Sequence, residues 1–105
     1  MLRTVDIAHA GQSSSEALIL LEVAISKAIE EGVVAVKIIH CLGSGSIAEK
    51  VRSWAQEQKG RFKAVIPGEE YNAFNKDAVN MRSELSNKQD RDFNSRNPGV
   101  TIFWL

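Results

Sequence analysis

A run of β-branched residues, Val33–Ile39, leads into a glycine-serine loop, Gly43–Ser46, and then into an amphipathic segment. The run lacks helical spacing, which predicts a strand that is buried on both faces inside a sheet. Apolar residues between positions 47 and 55 recur at helical spacing, so we expect a helix directly after the loop. This strand–loop–helix unit points to an α/β fold and places a glycine-serine loop at the end of a strand in the sheet interior.

Serine–glutamate pairs predict the starts of two helices. Ser13 with Glu16, and Ser46 with Glu49, match the S-x-x-E capping box, in which the serine accepts a bond from the first helical turn and the glutamate reaches back. The first pair opens a predicted helix over residues 15–31. Its expected apolar stripe comprises Leu18, Leu21, Ile25 and Ile29.

Three further segments predict strands, namely residues 2–7, 61–66 and 99–105. The resulting order is β-α-β-α-β, a long loop, and a final β-strand. It predicts a two-layer α/β sandwich. Residues 68–98 form the long connection, and we expect an extended and partly mobile loop there, with a short helix near 76–86.

Composition limits the classes of protein to which the chain can belong. Its 105 residues suit a single domain spanning 1–105. Thirteen basic and 13 acidic side chains cancel, so nucleic-acid binding cannot be argued from net charge. The one cysteine excludes an internal disulfide and suits a reducing, cytoplasmic location. The apolar stretches are too short to span a membrane.

The glycine loop is a candidate anion site. Glycines let a ligand approach the backbone, and the first amides of a helix carry partial positive charge. The plain alternative is a tight turn between strand and helix. A dinucleotide fingerprint, G-x-G-x-x-A, is also matched, but it follows the second strand rather than the first, which disfavours it. The candidate phosphate-binding residues are Gly43, Ser44, Gly45, Ser46, Lys50 and Arg52.

Acidic and imidazole side chains end the first two predicted strands. If these strands are parallel neighbours, Asp6, His9 and His40 reach the same edge of the sheet. Such a set can transfer protons or hold one divalent ion. The alternative for His40 is a half-buried side chain that orders the loop. Cys41, its neighbour, is interpreted as a small packing residue.

Together these motifs resemble the Smr (small MutS-related) domain found at the end of MutS2-type proteins. Members carry a D-L-H-G strand end, "EAL" in the first helix, an H-G-x-G-x-G loop and a final strand similar to "GVTIVEL". The matching pieces here are "VDIAHAG", "EALILL", "IIHCLGSG" and "GVTIFWL". The resemblance covers nearly the whole chain.

The resemblance implies a fold like the C-terminal domain of translation initiation factor 3. It also implies binding of DNA or RNA, branched or structured, and in several members endonuclease activity. By position, Asp6 and Gly11 match the first motif, while His40, Gly43 and Gly45 match the second. We therefore expect Asp6, His9 and His40 to be catalytic. The ion stays open, with Mg²⁺ as the candidate.

Two departures from the family pattern favour a second hypothesis. The first motif holds two additional residues, which shifts His9, and Cys41 replaces the first glycine of the second motif. Both changes affect catalysis more than binding. The alternative is thus a catalytically inactive module that binds nucleic acid, or one that binds protein through residues 68–98.

Overall fold

Strands and helices alternate along the chain as predicted, and a fourth strand completes the fold. The computed structural model describes residues 2–8, 13–41, 45–58 and 60–105. The strands are β1 (Leu2–Asp6), β2 (Ala35–Ile39), β3 (Ala64–Pro67) and β4 (Val100–Trp104). The helices are α1 (Ser14–Glu30), α2 (Ser46–Glu57) and α3 (Lys76–Ser83), with a 3₁₀ turn at Gly68–Glu70.

The four strands form one mixed sheet in the order β1-β2-β4-β3. β1 and β2 are parallel, and their register aligns Asp6 with Ile39. β4 runs antiparallel to both β2 and β3. The carboxyl ends of β1, β2 and β3 therefore lie at the same edge of the sheet, where β4 begins. This edge is called the site edge below.

Local signals fix α1. The Ser13 hydroxyl accepts from the Glu16 amide at 3.2 Å, and the Glu16 carboxylate accepts from the Ser13 amide at 3.4 Å, which confirms the predicted capping box. Gly32, with φ +72°, follows the helix in the left-handed conformation. The buried stripe differs in part from the prediction, because small alanines and not Ile29 face the sheet. It comprises Ala17, Leu21, Ile25 and Ala28.

Two predicted boundaries are corrected. α2 begins at Ser46, and its N-cap is Gly45 with φ +85°, so Ser46 is the first helical residue and not the cap. The left-handed entry favours glycine at the cap position. β3 begins at Ala64, since Arg61 to Lys63 form a turn, and it extends to Pro67. Proline is tolerated there because β3 is an edge strand.

α1 and α2 cover one face of the sheet, as the two-layer prediction requires. The side chains of Val36 and Ile38 from β2, and of Phe103 from β4, enter this core. Three aromatic rings close its end: Phe62 lies 5.1 Å from Phe103 between ring centroids, and Trp54 lies 6.0 Å from each of them.

Residues 68–98 cover the opposite face of the sheet. Tyr71, Ala78 and Met81 are fully buried against Ile66 and Ile102. The interpretation of this segment as an extended loop therefore needs correction: it is a packed layer that includes the 3₁₀ turn and α3. Its packing requires Gly68, because a Cβ built there would lie 1.9 Å from the carbonyl oxygen of Asn97.

A buried lysine side chain lies beneath this layer. Lys37, in the middle of β2, is only 6% exposed, and its Nζ lies 2.5 Å from Asp90 Oδ1 and 2.8 Å from Asp92 Oδ2. Burial alone would raise the pKa of Asp92, but hydrogen bonds from Asn97 and Lys37 outweigh burial and lower that pKa. The predicted two-sided burial of β2 thus includes an ion-paired lysine.

Tyr71 and Arg82 extend this polar network. The Tyr71 hydroxyl donates to Asp90 Oδ2 and accepts from Arg82 Nη1, each at 3.1 Å. Burial raises the pKa of Tyr71 to about 12, so the phenol remains a donor over the physiological range. The Arg82 guanidinium lies 3.9 Å from the centroid of the Phe93 ring, a cation–π contact that closes the layer.

Candidate nucleic-acid interface

β1 and β2 are parallel neighbours, which brings Asp6 and the start of the segment after Ile39 to the site edge. The ladder continues one residue further, since the Ile7 amide donates to the Ile39 carbonyl at 3.0 Å. His40 follows immediately. The candidates His9, Gly11, Gly43 and Ser44 lie outside the described residues.

His40 lies inside the protein and is only 2% exposed. Its Nδ1 lies 3.1 Å from the Cys41 carbonyl, and its Nε2 lies 2.9 Å from the Thr101 hydroxyl. A carbonyl only accepts, so Nδ1 carries the proton and Nε2 accepts from Thr101. Burial lowers the pKa of His40, and the nearby positive charge of Arg52 lowers it further. These two effects outweigh the hydrogen bond to the Cys41 carbonyl and the negative charge of Glu69, both of which raise the pKa. The neutral imidazole joins the Cys41 backbone to Thr101 in β4.

Asp6 is exposed at the end of β1. Its Oδ1 accepts from the Ala8 amide at 2.8 Å, which fixes the carboxylate at the site edge. Within residues 2–8, 13–41, 45–58 and 60–105, no group of three histidine, cysteine or acidic side chains is placed to hold a metal ion. The acid–base role predicted for Asp6, His9 and His40, and the Mg²⁺ candidate, stay predictions.

Gly45 turns the chain into α2. A Cβ built on Gly45 would meet nothing within 4 Å, so the left-handed φ and not lack of space requires glycine. Ser46 and Lys50 are both exposed and lie one turn apart, on one side of α2. The first amides of a helix have no acceptor within the helix and attract anions. The start of α2 therefore combines the positive end of a helix with an exposed lysine one turn further along.

Arg52 lies on the side of α2 that faces the sheet. Its guanidinium forms a bidentate ion pair with Glu69, in which the distance from Nη1 to Oε2 is 2.9 Å and that from Nη2 to Oε1 is 2.7 Å. Its Nε lies 3.5 Å from the Thr101 hydroxyl that also contacts His40. Lys50 and Arg52, predicted together as phosphate ligands, thus have different surroundings.

Comparison with known proteins assigns the family. A model of the Smr domain matches residues 9–73, more than half of the chain. The chain belongs to the Smr domain family. This confirms the resemblance inferred from the motifs. Smr domains are associated with nucleic-acid binding and nuclease activity.

The fold of this Smr domain is similar to a solved member of the family. The Smr domain of Thermus thermophilus MutS2 superposes with a TM-score of 0.64 at 18% sequence identity, covering 98% of this chain and 96% of that one. No curated protein matches the chain. Among the described helices, none is long and apolar enough to cross a membrane.

Cys41 explains why the family pattern has glycine at this position. Its φ is +53°, in the left-handed region that side chains other than glycine adopt at a cost. Its amide donates to the Gly99 carbonyl at 3.0 Å, beside the His40 amide at 2.9 Å. A glycine here would adopt this conformation without strain. The thiol is exposed, which corrects the packing interpretation.

Sequence reasoning missed two residues of the site edge in this Smr domain. Thr101 is buried between His40 and Arg52, and its only signal was a hydroxyl residue within the apolar strand "GVTIFWL". No sequence pattern indicated Glu69, because its ion pair with Arg52 forms only when β3 places the 3₁₀ turn next to α2.

Proposed function

We propose that this Smr domain binds nucleic acid at the site edge, with phosphates at the start of α2. Lys50 supplies charge from the exposed side of the helix, Gly45 sets the left-handed entry into it, and the N-terminal end of the helix favours an anion. The sugar-phosphate backbone of branched DNA or structured RNA is the expected ligand. The observation that supports this proposal most is the start of α2, where exposed Ser46 and Lys50 follow Gly45 at the same edge as Asp6 and the buried His40.

His40 acts in this proposal as a positioning residue. Its two ring nitrogens contact Cys41 and Thr101, and its exposure is 2%, so it holds Cys41 against β4 and does not itself contact the phosphate. Binding is therefore the activity that the geometry supports best. Phosphodiester cleavage, which the family resemblance implies, would depend on Asp6 as the exposed acid at the same edge.

A titration with labelled hairpin RNA, branched DNA and linear duplex tests the proposal by fluorescence anisotropy at several salt concentrations. Lys50→Gln should weaken binding to all three and reduce the salt slope by roughly one. Lys27→Gln is the matched control, since Lys27 is an exposed lysine in the last turn of α1, away from the site edge. Equal effects of the two substitutions, or no binding by the unmodified protein, would refute it.

The same preparations serve a cleavage assay on supercoiled and branched DNA and on hairpin RNA, with and without Mg²⁺. If cleavage occurs, Asp6→Asn should abolish it while binding is retained. Loss of cleavage in His40→Gln with unchanged loop resonances would instead assign chemistry to His40 and contradict its positioning role.

A further inference from the structure

The ion pair between Arg52 and Glu69 occupies a position next to the proposed phosphate site. The Arg52 side chain is 31% exposed and that of Glu69 is 43% exposed, so solvent and ligands can reach both. Arg52 Nη2 also lies 3.3 Å from the Pro98 carbonyl and 3.5 Å from the Val100 carbonyl. The guanidinium is therefore held in place by β4 as well as by Glu69.

The geometry of this pair is that of phosphate recognition. Both carboxylate oxygens of Glu69 face the two terminal nitrogens of Arg52, the same parallel arrangement with which arginine binds two phosphate oxygens. Burial would raise the pKa of Glu69, but the Arg52 bond and charge outweigh it and lower that pKa, so the carboxylate stays ionised at neutral pH. An ionised phosphate would compete for the same donors.

Thr101 links this pair to the loop. Its hydroxyl contacts His40 Nε2 at 2.9 Å and Arg52 Nε at 3.5 Å, so the guanidinium and the imidazole share one buried partner. His40 in turn holds Cys41 at the start of the glycine loop. Arg52 is thus connected through two side chains to the loop that precedes α2.

We propose that Glu69 is an internal phosphate mimic, which holds Arg52 ready and is displaced when a phosphate of the bound nucleic acid takes its place. This inference rests on the proposed function and specifies its second phosphate contact. Glu69 then discriminates against weakly bound anions, because only a ligand anchored at the start of α2 can exchange with a carboxylate tethered to the same protein. The two contacts together favour a continuous backbone over isolated phosphate.

Glu69→Gln tests the proposal, with Glu70→Gln as the matched control. Both substitutions remove one negative charge at neighbouring exposed positions, but only Glu69 pairs with Arg52. Glu69→Gln should tighten nucleic-acid binding about 1.5- to 5-fold, the range expected from partly exposed ion pairs. It should also steepen the salt slope by roughly 0.7–0.9, since no displaced carboxylate is left to take up a cation when the phosphate binds Arg52. Glu70→Gln should change neither slope nor affinity by a comparable amount.

The double variant Arg52→Gln/Glu69→Gln should lose the gain, and circular dichroism melts verify that each variant folds. An equal gain in Glu70→Gln, or weaker binding in Glu69→Gln, overturns the mimic. The Arg52 Nε–H resonance gives an independent NMR readout with pyrophosphate as probe: it should move in Glu69→Gln, and an unmoved resonance also overturns the mimic. Absence of nucleic-acid binding in every variant refutes the proposed function instead.

Discussion

The buried Lys37 cluster gives the sharpest test of the structure. Lys37→Met keeps an unbranched side chain of similar length but removes the charge between Asp90 and Asp92, whose side chains are 3% and 8% exposed. Two carboxylates would then remain buried without their cation. Breaking a buried ion pair from one side costs about 3–5 kcal/mol. For a domain of this size, such a loss lowers the melting temperature by roughly 12–25 °C.

The pH dependence separates charge from packing. The native pKa of Asp92 lies below its ordinary value of 3.8. Its ionised form therefore stabilises the fold above that value, and this contribution is lost as pH falls through the lowered native pKa. In Lys37→Met, burial acts on Asp92 without the lysine and favours protonation in the native state. The deficit in unfolding free energy should thus be larger at pH 7 than at pH 4.

Urea denaturation followed by circular dichroism at pH 7 and pH 4 measures this deficit. A triple variant that adds Asp90→Asn and Asp92→Asn should recover at least half of it, because amides need no counter-charge. Lys50→Met, at an exposed position, is the control and should remain within about 0.5 kcal/mol of the unmodified protein. A pH-independent deficit, or a triple variant as unstable as Lys37→Met, would refute the reasoning.

Three further outcomes are expected at or near the site edge. Burial lowers the pKa of His40 from 6.5, so the unfolded state binds more protons than the native state just below that pH. The unfolding free energy should therefore decline as pH falls below 6.5. Urea denaturation at several pH values should show a smaller decline in His40→Gln. Gly68→Ala places a methyl group 1.9 Å from the Asn97 carbonyl oxygen and should cost about 3 kcal/mol or more by thermal denaturation, whereas Gly60→Ala, with open space, tests the conformational penalty alone. Cys41→Gly should raise the unfolding free energy by up to about 1 kcal/mol through relief of the left-handed strain, and Cys41→Val should lower it; the opposite order would contradict the strain.

Local signals explain which elements could be predicted from the sequence. The capping box at Ser13 and the helical spacing that follows it involve residues within one or two turns, so α1 was located to within a residue at each end. The start of α2 was misplaced by one residue, because a glycine in the left-handed conformation replaced the expected serine cap. Parallel pairing of β1 and β2 was enough to place Asp6 and His40 at one edge.

Long-range pairings explain what could not be predicted. Lys37 lies in an apolar run, and its partner Asp90 is 53 residues away. The residues around Lys37 therefore do not predict the ion pair. The same applies to Arg52 and Glu69, which are brought together by the sheet. The layer formed by residues 68–98 depends on Tyr71 reaching a face that exists only after β4 is in place.

The position of β4 also governs how the chain must fold. β4 lies between β2 and β3 and supplies every strand pairing that β3 has among the described residues. During synthesis β4 emerges after β1, α1, β2 and α2. The strand β3 cannot join β1 and β2 in one sheet until Val100–Trp104 is available. For β4 to pair with β2, the long chain segment between these two strands must be closed into a loop. Such a closure is entropically costly and slows folding. A nascent chain that ends before Val100 therefore exposes one edge of β2, a ready template for pairing with another chain.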